Sequence, residues 1–190
     1  IIQMKLEVLI STYNRKDISF ITNMNLKTDV IIGNQNGENR KIVINKSCGK
    51  LTVICSDTIG LACNRNITLE NSNADICLLA DDDLIYTDNY ERIVLDRFKE
   101  NPDVDVIIFN LVEPTGRRFI TKKRFYINHF NYMRFGSVRI AFRRKSIIDN
   151  GIKFDERFGS GSRIPMGEDT IFLRDCLKAG LRILAVPDFI

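Results

Sequence analysis

Short apolar runs alternate with polar, helically spaced segments along most of this chain. Leu6-Glu7-Val8-Leu9-Ile10-Ser11 reads as a first strand, and the polar turn Thr12 to Asp17 opens a helix to about Leu26, with Asn14 or Asp17 as its cap. Residues 29–34 form a second apolar strand, followed by a loop over 34–39 containing Gly37 and three asparagines. Residues 41–44 and 51–55 read as two short strands around Ser47-Cys48-Gly49. In 60–71, Leu61, Asn64, Arg65, Thr68 and Leu69 recur at helical spacing. Residues 76–80 are a strand. Asp88 then caps a helix to Arg97 or Phe98, whose Ile93, Val94 and Phe98 share one face, and Pro102 ends it. Residues 104–109 read as a central strand and 138–142 as an alternating one. Gly167-Glu168-Asp169 opens a helix to about Ala179, Gly180 stops it, and 181–186 is a last strand before Pro187.

Strands alternating with helices imply an α/β sandwich with a mostly parallel sheet. Ligands bind such sheets beyond the carboxyl ends of the strands, where Ser11 to Asn14, Asn34 and Asp81 to Asp83 all fall. No internal repeat or low-complexity linker interrupts the pattern.

The run Cys77-Leu78-Leu79-Ala80 ends at Asp81-Asp82-Asp83. Carboxylates this close repel, and a hard divalent cation is their natural counter-charge. Read alone, the cluster also fits a helix cap or a solvated turn. An EF-hand starting at Asp81 would need Gly where Tyr86 stands and Glu where Arg92 stands, so it fails. A phosphoaspartyl hydrolase would want a second acidic motif after a buried strand, and Glu168-Asp169 follows a Gly/Ser-rich segment instead. No P-loop pattern occurs. Glu168 and Asp169 are either a charge-matched helix start or the home of a general base. Arg65, between Asn64 and Asn66, is either a surface charge or a fork-shaped partner for phosphate.

Composition narrows the setting. The chain has 190 residues and a net charge of +4, which suits an anionic ligand without demanding one. Positive charge concentrates in 117–145, interleaved with Phe119, Phe125, Tyr126, Phe130, Tyr132 and Phe135. That stretch reads as a solvated hairpin with core aromatics, or as an acceptor or anionic-membrane contact. No nucleic-acid module is recognisable, and nucleic acid is not expected as a partner. His129, the one histidine, has no partner spacing and reads as structural. Five cysteines without a C-x-x-C pair fit neither a zinc site nor a disulfide framework, so a cytoplasmic setting is expected, with room for attachment at the inner face of a membrane. No apolar run approaches the roughly 20 residues of a membrane span.

Four motifs in order resemble family 2 glycosyltransferases of the GT-A fold: Val8 to Arg15 its opening strand and turn, Gly60 to Asn66 its G-x-x-x-A-R-N helix, Asp81-Asp82-Asp83 its D-x-D, and Phe154-Asp155-Glu156-Arg157-Phe158 with Gly167-Glu168-Asp169 its acceptor-side signature. The resemblance implies one GT-A domain over 1–190, a three-layer sandwich with a nucleotide-binding half (1–110) and an acceptor half (111–190) cut short at its C-terminus. It implies an inverting, metal-dependent transfer of sugar from a UDP-, dTDP- or GDP-sugar to a glycan or lipid-linked hydroxyl, as in surface polysaccharide or glycoconjugate assembly. Ser11, Tyr13, Arg65, Asp81 and Asp82 would contact the nucleotide, and Asp83 with Asp81 would hold Mn²⁺ or Mg²⁺. Asp169, with Glu168 as runner-up, would be the base. Asn34 stands where the family usually has a base-binding Asp, and no histidine follows Glu168. The competing expectations are a catalytically silent nucleotide- or glycan-binding module and a nucleotidyltransferase. The absence of glycine from Ser11-Thr12-Tyr13-Asn14-Arg15 counts against the latter. Oligomeric state is left open.

Overall fold

The computed structural model describes residues 4–46, 49–112 and 118–190. Ser47, Cys48 and Arg117 therefore lie outside the described residues. Nine strands form one sheet in the order β3-β4-β2-β1-β5-β8-β6-β9-β7. They are β1 (Leu6–Tyr13), β2 (Asp29–Gln35), β3 (Arg40–Lys46), β4 (Gly49–Ser56), β5 (Ile76–Asp81), β6 (Val106–Asn110), β7 (Phe125–Tyr126), β8 (Ile140–Arg143) and β9 (Ile183–Phe189). The pairings β4-β2-β1-β5 and β6-β9 are parallel. β3, β8 and β7 pair antiparallel with their neighbours. Because β8 opposes both β5 and β6, these two point the same way, and the sheet is mostly parallel by strand direction.

Period-two alternation divides the strands between two cores. Val8, Ile10, Leu78, Ala80 and Ile107 face helix α2 (Tyr90–Glu100), which buries Tyr90, Val94, Leu95 and Phe98. Leu9, Ile31, Cys77, Leu79, Val106 and Ile108 face the other side. There they meet α1 (Leu61–Asn71), α3 (Arg144–Asp149) and α4 (Glu168–Lys178), which supply Leu69, Ile147, Phe172 and Cys176. The result is helix, sheet, helix in three layers. The four described cysteines are free thiols, and burial pushes Cys77 up to about 12.

α1 departs from the usual amphipathic plan, because its buried face includes Asn64, Arg65, Asn66 and Thr68. Successive helical side chains diverge by about 100°, so Asn64, Arg65 and Asn66 reach three different places. Asn64 Nδ2 donates to the carbonyls of Thr12 (3.1 Å) and Gly33 (2.8 Å), tying α1 under β1 and β2. Gly33 permits this approach, since a Cβ there would lie 2.0 Å from Asn64 Oδ1. Asn66 exchanges hydrogen bonds with the backbone of Phe154 and holds that segment against the helix.

Several expectations change. The helix over 17–26 is a single 3₁₀ turn, Ser19–Asn23, enclosed by left-handed Asn14 and Asn25. Asp17 does bind its start, accepting from the N–H and hydroxyl of Ser19. Asn89, not Asp88, occupies the N-cap of α2, while Asp88 accepts from Asn25 Nδ2. The expected strand at 138–142 starts only at Ile140, after a 3₁₀ turn over Ser137–Arg139, and runs into the unanticipated α3. The basic stretch is no hairpin: β7 pairs with β9, and Phe119, Phe125 and Phe135 pack together, with centroids 5.7 to 6.4 Å apart. Among the described residues no helix is long and apolar enough to cross a membrane.

Candidate active site

The carboxyl ends of β1, β2 and β5 open into a cavity of about 830 Å³. Ser11 pairs in register with both Gly33 and Asp81, and Tyr13 with Gln35. Continuing the alternation from Leu9, Ile31 and Leu79 puts Ser11, Tyr13, Gln35 and Asp81 on the α1 side of the sheet. All four line the cavity, together with Asn14, Arg15, Asp82 and Asp83. Tyr13 is 69% exposed at this cavity, with its ring available for stacking. Ser11 Oγ and Asn64 Oδ1 are buried without a hydrogen-bond partner among the described residues, although both residues line the space.

The cavity is closed from the far end of the chain. The Ser160 carbonyl accepts from Leu61 N–H (2.9 Å) at the start of α1, and Gly161 packs on Gly60. Gly161 has φ +80°, and a Cβ there would come within 3.3 Å of Gly60 Cα, so the approach requires glycine.

A second cavity of about 370 Å³ adjoins the first, and Asp81 lines both. Its wall includes Asp169, Ser137, Arg118, Arg134 and Arg139. Asp169 Oδ1 accepts from Thr170 N–H (2.7 Å), and Oδ2 accepts from Ser137 N–H (3.2 Å). A carboxylate offers about four acceptor positions, so lone pairs remain for a substrate proton.

Arg65 lies between the two cavities, 1% exposed and lining neither. Its NH1 donates to Glu168 Oε1 (2.7 Å) and its NH2 to Ser137 Oγ (2.7 Å), with a longer contact to Asp81 Oδ1 (3.4 Å). The Phe154 ring lies 5.6 Å from the guanidinium. The sequence expectation was a nucleotide contact at Arg65; in the structure its NH1 and NH2 are bonded to protein groups, and its Nε is buried with no hydrogen-bond partner among the described residues. Glu168 is likewise buried as the partner of Arg65 and is absent from both linings. Asn34 does not line the larger cavity either. Its amide exchanges hydrogen bonds with the backbone of Arg15 (3.2 and 2.9 Å), on the sheet face away from α1, and shapes the turn after β1. Gln35 takes the place in the cavity, anchored through Nε2 to Thr58 Oγ1 and the Gly60 carbonyl. Parity along β2 was the signal that could have found it. Ser137 carried no sequence signal.

The three aspartates differ in their surroundings. Asp82 accepts from Arg15 Nε (2.7 Å) and Thr12 Oγ1 (2.5 Å). Burial pushes Asp82 up, but these bonds outweigh it and hold the carboxyl below its ordinary range. Burial raises Asp81; Arg65 pulls it back and Asp83 pushes it up, leaving it above its ordinary range. Asp83 is exposed at the cavity rim. Among the described residues, no group of three or more His, Cys, Asp or Glu side chains is arranged to hold a metal.

No protein-family model matches the chain, and no curated protein sequence does. Solved structures do. S. aureus TarS 1–349 is 19% identical with TM-score 0.72, over 97% of this chain and 58% of that one. The same protein in complex with UDP-GlcNAc gives 18% identity and TM-score 0.73, over 98% and 58%. Its complex with UDP gives 19% and 0.73, over 98% and 60%. The chain thus spans about three-fifths of the length of TarS 1–349. At these identities the likeness shows the fold, and the fold is GT-A, the three-layer sandwich of nucleotide-diphospho-sugar transferases.

Replacing Arg65 with Met strands Glu168 as a buried charge and should cost about 3–5 kcal/mol in urea denaturation. The double variant Arg65→Met, Glu168→Gln should recover most of that loss. Asp81→Asn should do the opposite. A carboxyl whose folded pKa is raised favours the fold below its unfolded pKa, and that contribution is lost as pH rises through the folded value. In thermal melts without nucleotide or metal, the variant should therefore melt above the wild type near pH 7. The difference should vanish below about pH 3.9, the ordinary aspartate value.

Proposed function

We propose that this chain transfers a sugar from a nucleotide-sugar donor to an acceptor hydroxyl, with inversion and with help from a divalent cation. The observation that carries this reading is the position of Asp81 on the wall shared by a nucleotide-sized cavity and a smaller one holding Asp169. The fold likeness to a protein solved with UDP-GlcNAc and with UDP supports a UDP-sugar donor ahead of dTDP- or GDP-sugars. The acceptor is a glycan or a lipid-linked hydroxyl.

In this reading the exposed ring of Tyr13 stacks on the base, and the unpartnered hydroxyl of Ser11 bonds the nucleotide. Gln35 bounds the same cavity where Asn34 was expected to act. Asp83 and Asp81 would hold Mn²⁺ or Mg²⁺. Two carboxylates at a rim fit a cation that completes its shell with water and substrate phosphates rather than an all-protein cage. A bound cation would offset the charge developing on the departing diphosphate as a Lewis acid. Asp169 removes the acceptor proton while the hydroxyl oxygen bonds to the anomeric carbon. The bond from that carbon to the diphosphate oxygen breaks, and the nucleoside diphosphate leaves. Attack opposite the leaving group inverts the carbon, and one base is sufficient. Glu168 acts through Arg65 as a positioning residue.

The second reading, a silent nucleotide- or glycan-binding module, is favoured by one observation: Arg15 and Thr12 already occupy the carboxylate of Asp82. Turnover decides between them. Nucleoside diphosphate release from a panel of nucleotide sugars should require Mn²⁺ or Mg²⁺ and stop with chelator; no release from any donor overturns the transferase reading. Asp83→Ala should abolish metal-dependent UDP binding in calorimetry, whereas unchanged affinity would remove Asp83 from the metal site. Asp169→Asn should bind UDP like the wild type yet lose roughly a hundredfold or more of its transfer rate; wild-type turnover would move the base elsewhere.

A further inference from the structure

Among the described residues, no acidic side chain pairs with the buried cation Arg139. It is 1% exposed, and its bonded acceptors are both neutral: the Phe119 carbonyl (2.8 Å) and Asn110 Oδ1 (3.4 Å). Its Nε is buried with no hydrogen-bond partner among the described residues. Removing a charge from water is costly unless an opposite charge is supplied. The two acids on the described wall of this cavity, Asp81 and Asp169, do not supply it. Asp169 accepts from the backbone of Ser137 and Thr170, and Asp81 contacts Arg65. Burial, with Arg118 close by, pushes the Arg139 guanidinium down to about 10.

The arginines are also held in place. Arg139 lies 5.1 Å from the Phe135 ring centre and Arg134 lies 5.5 Å from that of Phe119, two rings that pack edge to face. Such cation–π contacts orient the planar groups before any ligand arrives. A guanidinium fork matches the oxygens of carboxylate and phosphate alike. Asp169 lines the same cavity.

We propose that the smaller cavity is an oxyanion subsite, in which Arg139, with Arg134 on the same wall, receives a phosphate or carboxylate carried by the acceptor whose hydroxyl meets Asp169. The acceptor role rests on the transferase reading; the anion site itself rests on Arg139. The acceptor class is therefore an anionic one, bearing its charge within one cavity's breadth of the reacting hydroxyl.

The test is an NMR titration of the ¹⁵N-labelled chain at constant ionic strength, using inorganic phosphate and acetate as probes. The reporter is the Arg139 Nε–H resonance, assigned with Arg139→Lys. Phosphate, acetate or both should shift it saturably, and the responding probe identifies the oxyanion. Arg134→Ala, a change at an exposed side chain, should weaken that binding about tenfold, roughly the worth of one charge-assisted hydrogen bond. No shift with either probe overturns the proposal, as does a non-saturating drift equal in wild type and Arg134→Ala, or a response confined to the Ser11 and Tyr13 amides. A separate UDP titration with Mg²⁺, followed at those amides, keeps the two readings apart. Phosphate binding at Arg139 without UDP binding sinks the donor reading and supports the subsite; UDP binding with a silent Arg139 does the reverse.

Discussion

The buried guanidinium of Arg65 is the constraint on which the site depends. A charge with 1% exposure is tolerable only with its partners in place. Those partners come from separate parts of the chain: Glu168 from the start of α4, Ser137 from the turn before β8, and Asp81 from the end of β5. Satisfying one side chain therefore fixes the mutual position of three segments. Ser137 then passes the constraint on, because its backbone N–H binds Asp169 while its hydroxyl binds Arg65. The acid beside the smaller cavity is thus set, through one serine, by helix α1 under the larger cavity.

Much of this arrangement was legible in the sequence because strands with apolar faces must end somewhere, and their polar ends fall on one edge. Ser11, Tyr13, Asp81, Asp82 and Asp83 reached the cavity for that reason. Asn34 stands one residue from the β2 position that lines the cavity. Adjacent strand positions face opposite sides of the sheet, so Asn34 turned to the backbone of Arg15 and Gln35 to the cavity. The surroundings of Arg65 were illegible for another reason. An arginine in a short helix gives no sign of whether it meets solvent, ligand or a carboxylate 103 positions away. The expected helix over 17–26 had the periodicity but not the backbone, since Asn14 and Asn25 both adopt left-handed conformations. Arg139 was one charge among many in a basic stretch, and only packing against Phe135 and burial distinguish it.

The two cavities differ in electrical character although they share Asp81. The larger is bounded by three aspartates, two of which have arginine partners, Asp82 in Arg15 and Asp81 in Arg65. The smaller has arginines on its wall opposite the acid that would accept a proton. Asp81, raised by burial between them, stores a cost in the empty fold that a bound cation would relieve. Stability and ligand readiness thus oppose each other at a single carboxylate, which is common where a fold holds charges for a partner.

The Ser160 carbonyl at the head of α1 has a consequence for how the chain comes into being. As the polypeptide emerges from a ribosome, β1, β2, α1 and β5 appear before Ser160, yet the cavity they edge still lacks a wall. That wall arrives with Ser160 and Gly161, after most of the sheet has been threaded. An early fragment would present Tyr13 and the aspartates as an open shelf, without the wall that Ser160 and Gly161 complete. Enclosure comes only when this later segment lies down on α1, so the pocket closes only after the chain has been made at least as far as Gly161.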